Sequence, residues 1–490
     1  MKRKITWMAA ILLAFSLFGE HSQAEASTDY THIRNAANSI LSDSRFQRSN
    51  TSVTIRKAST GEIVYFFHPD KAVTPASTMK LMTGASALGL LGEDHRFTTS
   101  MWTNGKKVSK TLHGNLYLKG QGDPTLLKAD LTNFAKQLKA QGIVRINGSI
   151  VGDDTWFDSQ RTTGAIQKED EPYYYAAQIS GLTISPSTDY DAGSMIVSAS
   201  PGAVGGRAKV SLEPMTSVVS VSNQTKTVPR GYANTVKITR KSGTNTIVIT
   251  GNIPVGAGTK KEWISVSNPT AYTLDVFKRA LLAEGIHFAP GQGKVVTGSV
   301  PTFATPLAEK KSQTLKQLLP VYMKLSNNTI AETLVKEMGQ KVNGEGSWSA
   351  GIEAMRTYGT SIGLDMSQWR FEDGSGLSYS NRLTSRQVSE LLYAVRQESW
   401  SNTFVHSLPV GGVNNRITGG TLRYRLDTTA TRGITKAKTG SLRNTKALAG
   451  YTKTADGEEL IFTILTDRNP TNMIPLIDRL VISISNAKRK

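Results

Sequence analysis

The run Pro75-Ala76-Ser77-Thr78-Met79-Lys80-Leu81-Met82-Thr83-Gly84-Ala85-Ser86-Ala87-Leu88-Gly89-Leu90-Leu91 decides how the chain is read. A segment apolar on almost every side is expected to be a helix with no solvent face. Residues three apart on a helix share a face, so Lys80 stands one turn above Ser77. Apolar surroundings disfavour the charged ammonium, and a neutral lysine is a base. Ser-x-x-Lys on a buried helix is therefore a candidate activated nucleophile that needs no histidine. Alone, the motif is more often a serine N-cap with a snorkelling lysine, so its partners must decide.

The whole chain narrows those partners. At 490 residues it calls for about two to four domains. With 38% hydrophobic and 20% charged residues it has the composition of a soluble globular protein. Met1-Lys2-Arg3-Lys4 followed by the apolar run Ile5 to Phe18 reads as a signal peptide, here 1–24. Small residues at Ser22-Gln23-Ala24 and Ala24-Glu25-Ala26 put the mature start near Glu25 or Ser27. No later run reaches membrane-spanning length. The expected product is exported, extracellular or held at the wall or membrane surface, with no transmembrane anchor in the mature chain.

The absence of cysteine removes thiol catalysis, disulfides and thiolate metal sites. Seven scattered histidines, none in a His-Glu-x-x-His spacing, argue against a zinc hydrolase, and neither a metal nor another cofactor is expected. The net charge is +20, and the signal peptide accounts for little of it, holding Lys2, Arg3, Lys4 and Glu20. A basic exported protein lingers near polyanions, here anionic wall polymers or lipid heads. Nucleic acid is not an expected partner, because no basic run is interleaved with aromatics.

Along the chain, a helix over Tyr30 to Leu41 precedes a hairpin of Val53 to Arg56 and Ile63 to Phe66, and then the Ser77 helix. From Phe97 the texture changes to short strands, with a continuous one expected over Leu112 to Leu118 and another over Arg145 to Gly152. Residues 185–254 are β-rich, with a hairpin of Thr235 to Thr239 and Thr246 to Thr250. Helices return at Ala271 to Glu284, Leu315 to Met323, Ile330 to Gln340, Trp348 to Tyr358 and Ser385 to Glu398. A last hairpin, Ala447 to Tyr451 with Leu460 to Leu465, leads into a helix over Met473 to Ile484. The expected fold is α/β (α+β): one domain closed by both termini, an antiparallel sheet flanked by helices, with the β-rich middle inserted.

Gly359-Thr360-Ser361-Ile362-Gly363 has the letters of a nucleophile elbow but ends a helix, whereas the elbow needs a strand before its serine. Two better-placed motifs follow Ser77-Thr78-Met79-Lys80 in order. Ser326-Asn327-Asn328 opens a helix, and Lys438-Thr439-Gly440 precedes Ser441 on an expected edge strand. Lys241-Ser242-Gly243 at a hairpin tip and Ser485-Asn486-Ala487-Lys488 in the tail are decoys without those contexts.

In this order and context the chain resembles the penicillin-recognising serine peptidases and β-lactamases. The long interval between Ser77 and Ser326 makes it more similar to the low-molecular-mass class C penicillin-binding proteins, the D-alanyl-D-alanine carboxypeptidases/endopeptidases. Gly120-Gln121-Gly122-Asp123-Pro124, Gly152-Asp153-Asp154-Thr155-Trp156, Asp373-Gly374-Ser375-Gly376-Leu377-Ser378 and Gly419-Gly420-Thr421-Leu422-Arg423 carry the similarity further.

The resemblance implies a penicillin-binding domain over 27–95 and 268–490. It also implies an inserted domain over 96–184 and 255–267, and a third, 185–254, nested in that one. It implies peptidoglycan stem peptides ending in D-Ala-D-Ala as substrate and β-lactams as covalent inhibitors. Ser77 is the expected nucleophile, Lys80 its base, and the Ser77 and Ser441 N–H groups the oxyanion donors. Ser326 relays a proton to the leaving amine, Asn328 orients Lys80 and the substrate amide, and Lys438 supplies positive potential. Thr439, Gly440 and Ser441 form the substrate-binding strand. Trp156 and Asp158 are candidates for a side-chain subsite, with packing at a domain seam the alternative.

Two departures stand out. Asn327 replaces the aspartate of the Ser-Asp-Asn form, and Tyr379 follows Asp373-Gly374-Ser375-Gly376-Leu377-Ser378 where some relatives place arginine, with Arg382 nearby. A β-lactamase is the nearest rival, though its Glu-x-x-Leu-Asn motif is absent. A non-catalytic wall-binding protein is the other, against which the three intact motifs argue.

Overall fold

The computed structural model describes residues 30–488, and the expected signal peptide lies outside them. Behind the Ser77 segment stands one antiparallel sheet, built from β1 (Asn50–Lys57), β2 (Ile63–Phe67), β3 (Lys436–Leu442), β4 (Thr445–Lys453) and β5 (Glu459–Asp467) in the order β3-β4-β5-β1-β2. Asn50 pairs with Asp467 and Lys57 with Leu460, so the two ends of the chain close one sheet as the sequence implied.

Strand alternation assigns the faces. Val53, Ile55, Leu448, Leu460, Phe462 and Ile464 pack under the terminal helices Thr31–Leu41 and Ile474–Asn486. Their neighbours Ala449, Tyr451 and Ile461 join the opposite core, with Met79, Leu81, Met82 and Leu88. Each large side chain so buried contributes about 2 kcal/mol of transfer free energy.

The opposite core holds the helices that carry the site: α1 (Lys80–Leu91), α2 (Leu315–Lys324), α3 (Asn328–Asn343) and α4 (Trp348–Ser361). Helix α1 is buried from Lys80 through Leu88, as its apolar circumference requires, and ends at Gly92, whose φ of 83° is left-handed. Helices α3 and α4 cross at small residues. A Cβ on Gly351 would meet the Val335 carbonyl oxygen at 2.0 Å, and one on Gly339 would meet the Gly351 nitrogen at 2.7 Å.

The inserted chain departs from the sequence reading in three places. The strands expected over Leu112 to Leu118 and Arg145 to Gly152 each break in two, giving Thr111–His113 with Leu116–Gly120 and Arg145–Asn147 with Ile150–Asp153. Both breaks fall where Gly148 lies against Gly114, so close that a Cβ on Gly148 would fall 2.1 Å from the Gly114 carbonyl oxygen, and there the chain steps from a four-stranded to a five-stranded sheet. The division expected at 268 does not follow the strand pairing. Strand Thr305–Lys311 pairs with Thr98–Thr103, and helix Pro269–Ala283 packs in the core of the inserted chain. Likewise Lys260–Ser265, expected outside the β-rich segment, pairs with Ser194–Ser200 inside it. The hairpin of Lys237–Arg240 with Thr246–Pro254 is as read.

Gly351→Val would drive a branched side chain into the α3 backbone. A loss of about 1–3 kcal/mol is expected, measured as a lower thermal unfolding midpoint. An unchanged midpoint contradicts the close crossing.

Candidate active site

Ser77 does not cap α1. It lies inside a single 3₁₀ turn, Ala76–Met79, that runs straight into the α-helix at Lys80. In 3₁₀ geometry residues three apart eclipse, which brings the two side chains closer than α geometry would. Lys80 Nζ sits 3.0 Å from Ser77 Oγ. Entry to this turn is left-handed at Ala76, φ 47°, a conformation held by what surrounds it. Gly376 passes so close that a Cβ would fall 1.9 Å from the Ala76 carbonyl oxygen, and Gly440 approaches the Pro75 carbonyl from β3.

Lys80 is fully buried. Besides Ser77, its Nζ donates to Asn328 Oδ1 at 2.6 Å and to the Ser375 carbonyl at 2.7 Å. Loss of water brings its pKa down to about 7, against the opposing pull of the Glu332 and Asp373 carboxylates.

Ser326 sits just before α3 with φ 59°, again left-handed. Asn327 caps the helix, its side chain accepting from the Ile330 N–H at 2.8 Å. The same amide donates to the carbonyls of Asp189 (2.9 Å) and Tyr190 (3.0 Å) and to Asp191 Oδ1 (3.0 Å). An aspartate could cap but could not donate, which gives the departure from the Ser-Asp-Asn form a physical role: Asn327 ties the inserted chain to the site. Asn328 is fixed through its Nδ2, donating to the Tyr175 carbonyl at 2.8 Å.

Lys438 lies on the edge strand β3, as read from the sequence. Its buried Nζ donates to Ser326 Oγ and to the Thr439 carbonyl, both at 2.8 Å. Burial, and then the neighbouring Lys80, push its pKa well below the ordinary lysine value. The Ala437 N–H leaves the sheet edge to reach the Pro409 carbonyl. Alternation along the strand puts the N–H of Ser441, four residues on, on that same outer edge. The Ser77 N–H precedes the first turn bond, made by Thr78 to the Pro75 carbonyl, so an open turn faces an open edge. Thr439 Oγ1 donates to Thr421 at 2.7 Å, and Ser441 Oγ accepts from Lys446 at 2.6 Å.

The structure thus brings Ser77, Lys80, Ser326, Asn328, Lys438 and the Thr439 to Ser441 strand together. Trp156 and Asp158 stand apart from them. Trp156 donates to Glu337 at 2.7 Å and Asp158 Oδ1 accepts from Lys336 at 2.5 Å, both well along α3, the seam contacts that the sequence left as the alternative. The cavity beside Asn328 is lined instead by Arg161, Thr163, Tyr175, Trp348 and Leu377. Arg382 is occupied by Thr74 and the Tyr379 and Asn381 carbonyls. Sequence reasoning missed Glu332, and it singled out the run from Asp373 to Ser378 without giving Asp373 or the Ser375 carbonyl a role. Glu332 could have been found by its place four residues after Asn328, on the same helical face.

With the geometry in place, comparisons give the class. The fold is that of penicillin binding protein 4. The crystal structure of penicillin binding protein 4 (dacB) from Haemophilus influenzae superimposes with a TM-score of 0.78 at 23% identity, covering 91% of this chain and 97% of that one. A D-alanyl-D-alanine carboxypeptidase from Actinomadura sp. is 37% identical over 461 residues, 93% of this chain and 85% of that protein. The D-alanyl-D-alanine carboxypeptidase DacB of Haemophilus influenzae is 26% identical over 84% of each chain. Residues 33–481 match the D-Ala-D-Ala carboxypeptidase 3 (S13) family. The chain belongs to that family, as a low-molecular-mass class C penicillin-binding protein and D-Ala-D-Ala carboxypeptidase.

Asn327→Asp keeps the cap but loses three donated bonds and sets a second carboxylate against Asp191. Burial and Asp189 raise the Asp191 pKa to about 7. A protonated Asp191 can donate to the new carboxylate, so the expected loss, about 1–3 kcal/mol, is larger above that pH than below it. Denaturant unfolding on either side of neutrality reads this, and an equal loss at both contradicts the contact.

Proposed function

We propose that this carboxypeptidase works through an acyl-enzyme on Ser77. Neutral Lys80 takes the Ser77 hydroxyl proton as Oγ attacks the carbonyl of the penultimate D-alanine of a stem peptide. The oxyanion forms between the N–H groups of Ser77 and Ser441. Because Lys438 donates to Ser326 Oγ, the Ser326 hydroxyl proton is free to go to the leaving amine. Ser326 regains a proton from the Lys80 ammonium, so the proton taken from Ser77 ends on the departing D-alanine and Lys80 is neutral again. D-alanine departs, and water hydrolyses the ester. Asn328 holds Lys80 and is placed to meet the substrate amide, while Thr439 and Ser441 face the strand edge where a free terminal carboxylate would lie.

The observation that carries this reading is the 3.0 Å contact of Lys80 Nζ with Ser77 Oγ, in a pocket whose dryness brings the lysine to about 7. A lysine at that value is half neutral near physiological pH and can act as a base. The same machinery would open the D-alanyl amide of a cross-link and be acylated by β-lactams. A related structure, of the Haemophilus influenzae protein, is a complex with a β-lactam. The amino-terminal sequence supports export, no helix among the described residues is long and apolar enough to cross a membrane, and the charge of +20 would favour retention by anionic wall polymers.

The test is mass spectrometry of stem pentapeptide and cross-linked dimers incubated with the mature enzyme, together with labelled penicillin. Release of one D-alanine and a lasting adduct on Ser77 are expected. Ser77→Ala should lose both, trimming at least about a thousandfold more slowly. Continued trimming by Ser77→Ala would falsify the mechanism, and rapid penicillin turnover without an adduct would favour the β-lactamase rival. Since protonated Lys80 cannot accept a proton, acylation should rise with pH through about 7. A pH-independent rate across that range counts against Lys80 as base.

A further inference from the structure

Glu332 has no part in the steps above, yet it is a buried carboxylate one turn along α3 from Asn328. Each of its oxygens is met by an N–H. Oε1 accepts from the Ser375 N–H at 2.8 Å, and Oε2 accepts from the Gly374 N–H at 3.1 Å and from Trp348 Nε1 at 2.8 Å. On the other side of the same loop, Thr83 Oγ1 donates to the Gly374 carbonyl at 2.7 Å. The peptide is clamped from both sides, and the carbonyl that emerges, Ser375 O, is the one that receives Lys80 Nζ at 2.7 Å.

We propose that Glu332 is a positioning residue of the reaction: by holding the Gly374 and Ser375 N–H groups it aims the Ser375 carbonyl at Lys80, and its charge faces the lysine from beneath Asn328. The proposal rests on the reading of Lys80 as the base.

Three acceptors around Lys80 make a cage in which the ammonium must sit within reach of Ser77 Oγ before it gives up its proton. Asn328 and Glu332, four residues apart on one helix, supply two sides of that cage, one directly and one through the loop. A glutamine cannot replace this carboxylate, because its NH₂ would meet an N–H donor in place of an acceptor.

The charged and titratable groups facing Glu332 come from every neighbouring element. Lys80 lies on α1, Tyr322 on α2, Lys336 on α3 itself and Asp373 in the loop. Arg161 and Tyr175 of the inserted chain line the same cavity as Glu332, and Lys438 on β3 neighbours Lys80. Asp373 is itself held by the N–H groups of Gly376 (2.8 Å) and Ser378 (2.6 Å) and by Asn381 Nδ2 (2.8 Å). Burial, then Asp373, raise the Glu332 pKa, and the hydrogen bonds from Ser375, Trp348 and Gly374 oppose that by favouring its charged form. Removing its charge and displacing the Ser375 carbonyl both take away what favours the Lys80 ammonium. The Lys80 pKa must therefore fall.

The experiment is the pH dependence of Ser77 acylation by labelled penicillin in the full mature chain, for wild type, Glu332→Gln and Glu332→Asp, with thermal melts of each. In Glu332→Gln the acid limb is expected about one unit lower, with a plateau reduced about tenfold or more. Glu332→Asp keeps the charge and should hold the limb at the wild-type position while recovering part of the plateau. A structural anchor alone would lower the plateau in step with the melt and leave the limb in place, and that result overturns the proposal.

If Glu332→Gln does not fold, Thr83→Val releases the same peptide from its other side. It should move the limb in the same direction, and an unmoved limb there overturns the proposal too. Absence of Ser77 acylation, or of an acid limb, in the wild type would instead be a failure of the Lys80 reading.

Discussion

The constraint on which the site depends is the burial of one ammonium group. Taking Lys80 out of water disfavours its charge, and only neighbouring oxygens keep that cost within bounds. The structure supplies Ser77 Oγ, Asn328 Oδ1 and the Ser375 carbonyl as acceptors, with the Glu332 and Asp373 carboxylates behind them. The balance leaves the lysine near neutrality, charged or uncharged at little cost. Lys438, equally buried and next to Lys80, is likewise pushed well below the ordinary lysine value, so two lysines share one dry cleft.

Much of the local geometry follows from building that cleft. The 3₁₀ turn puts Ser77 directly under Lys80, and the left-handed backbone at Ala76 and Ser326 aims both hydroxyls inward. Gly376 and Gly440 let two other chain segments press against the turn where a Cβ would collide. Helix α3 organises the rest: its cap reaches the inserted chain through Asn327, its first residue holds Lys80, its next turn carries Glu332, and Lys336 and Glu337 further on meet Asp158 and Trp156. The glycine crossing with α4 keeps that helix in register with the loop at 374–376.

The parts of this arrangement that were legible in the sequence are those that leave a local signature. The apolar circumference of Lys80 to Leu91, the order of the three motifs and the alternation in both terminal hairpins each encode a burial pattern in neighbouring residues. Tertiary assembly left weaker marks. Helix Pro269–Ala283 is amphipathic like any other, and nothing in its letters says which core its apolar stripe enters. The strand breaks at Gly114 and Gly148 depend on two glycines far apart in the chain meeting backbone to backbone. For Trp156 and Asp158 the letters left a side-chain subsite and seam packing equally open, and only the fold shows their contacts with Glu337 and Lys336. Glu332 carried a helical-spacing signal that motif letters alone do not register.

The account therefore turns on the proton of one side chain. Nitrogen-15 NMR of the lysine side chains in the mature protein, with Lys80→Arg to assign the resonance, measures its titration directly. A Lys80 midpoint near 7 is predicted; a midpoint in the ordinary lysine range, about 10.4, would contradict it.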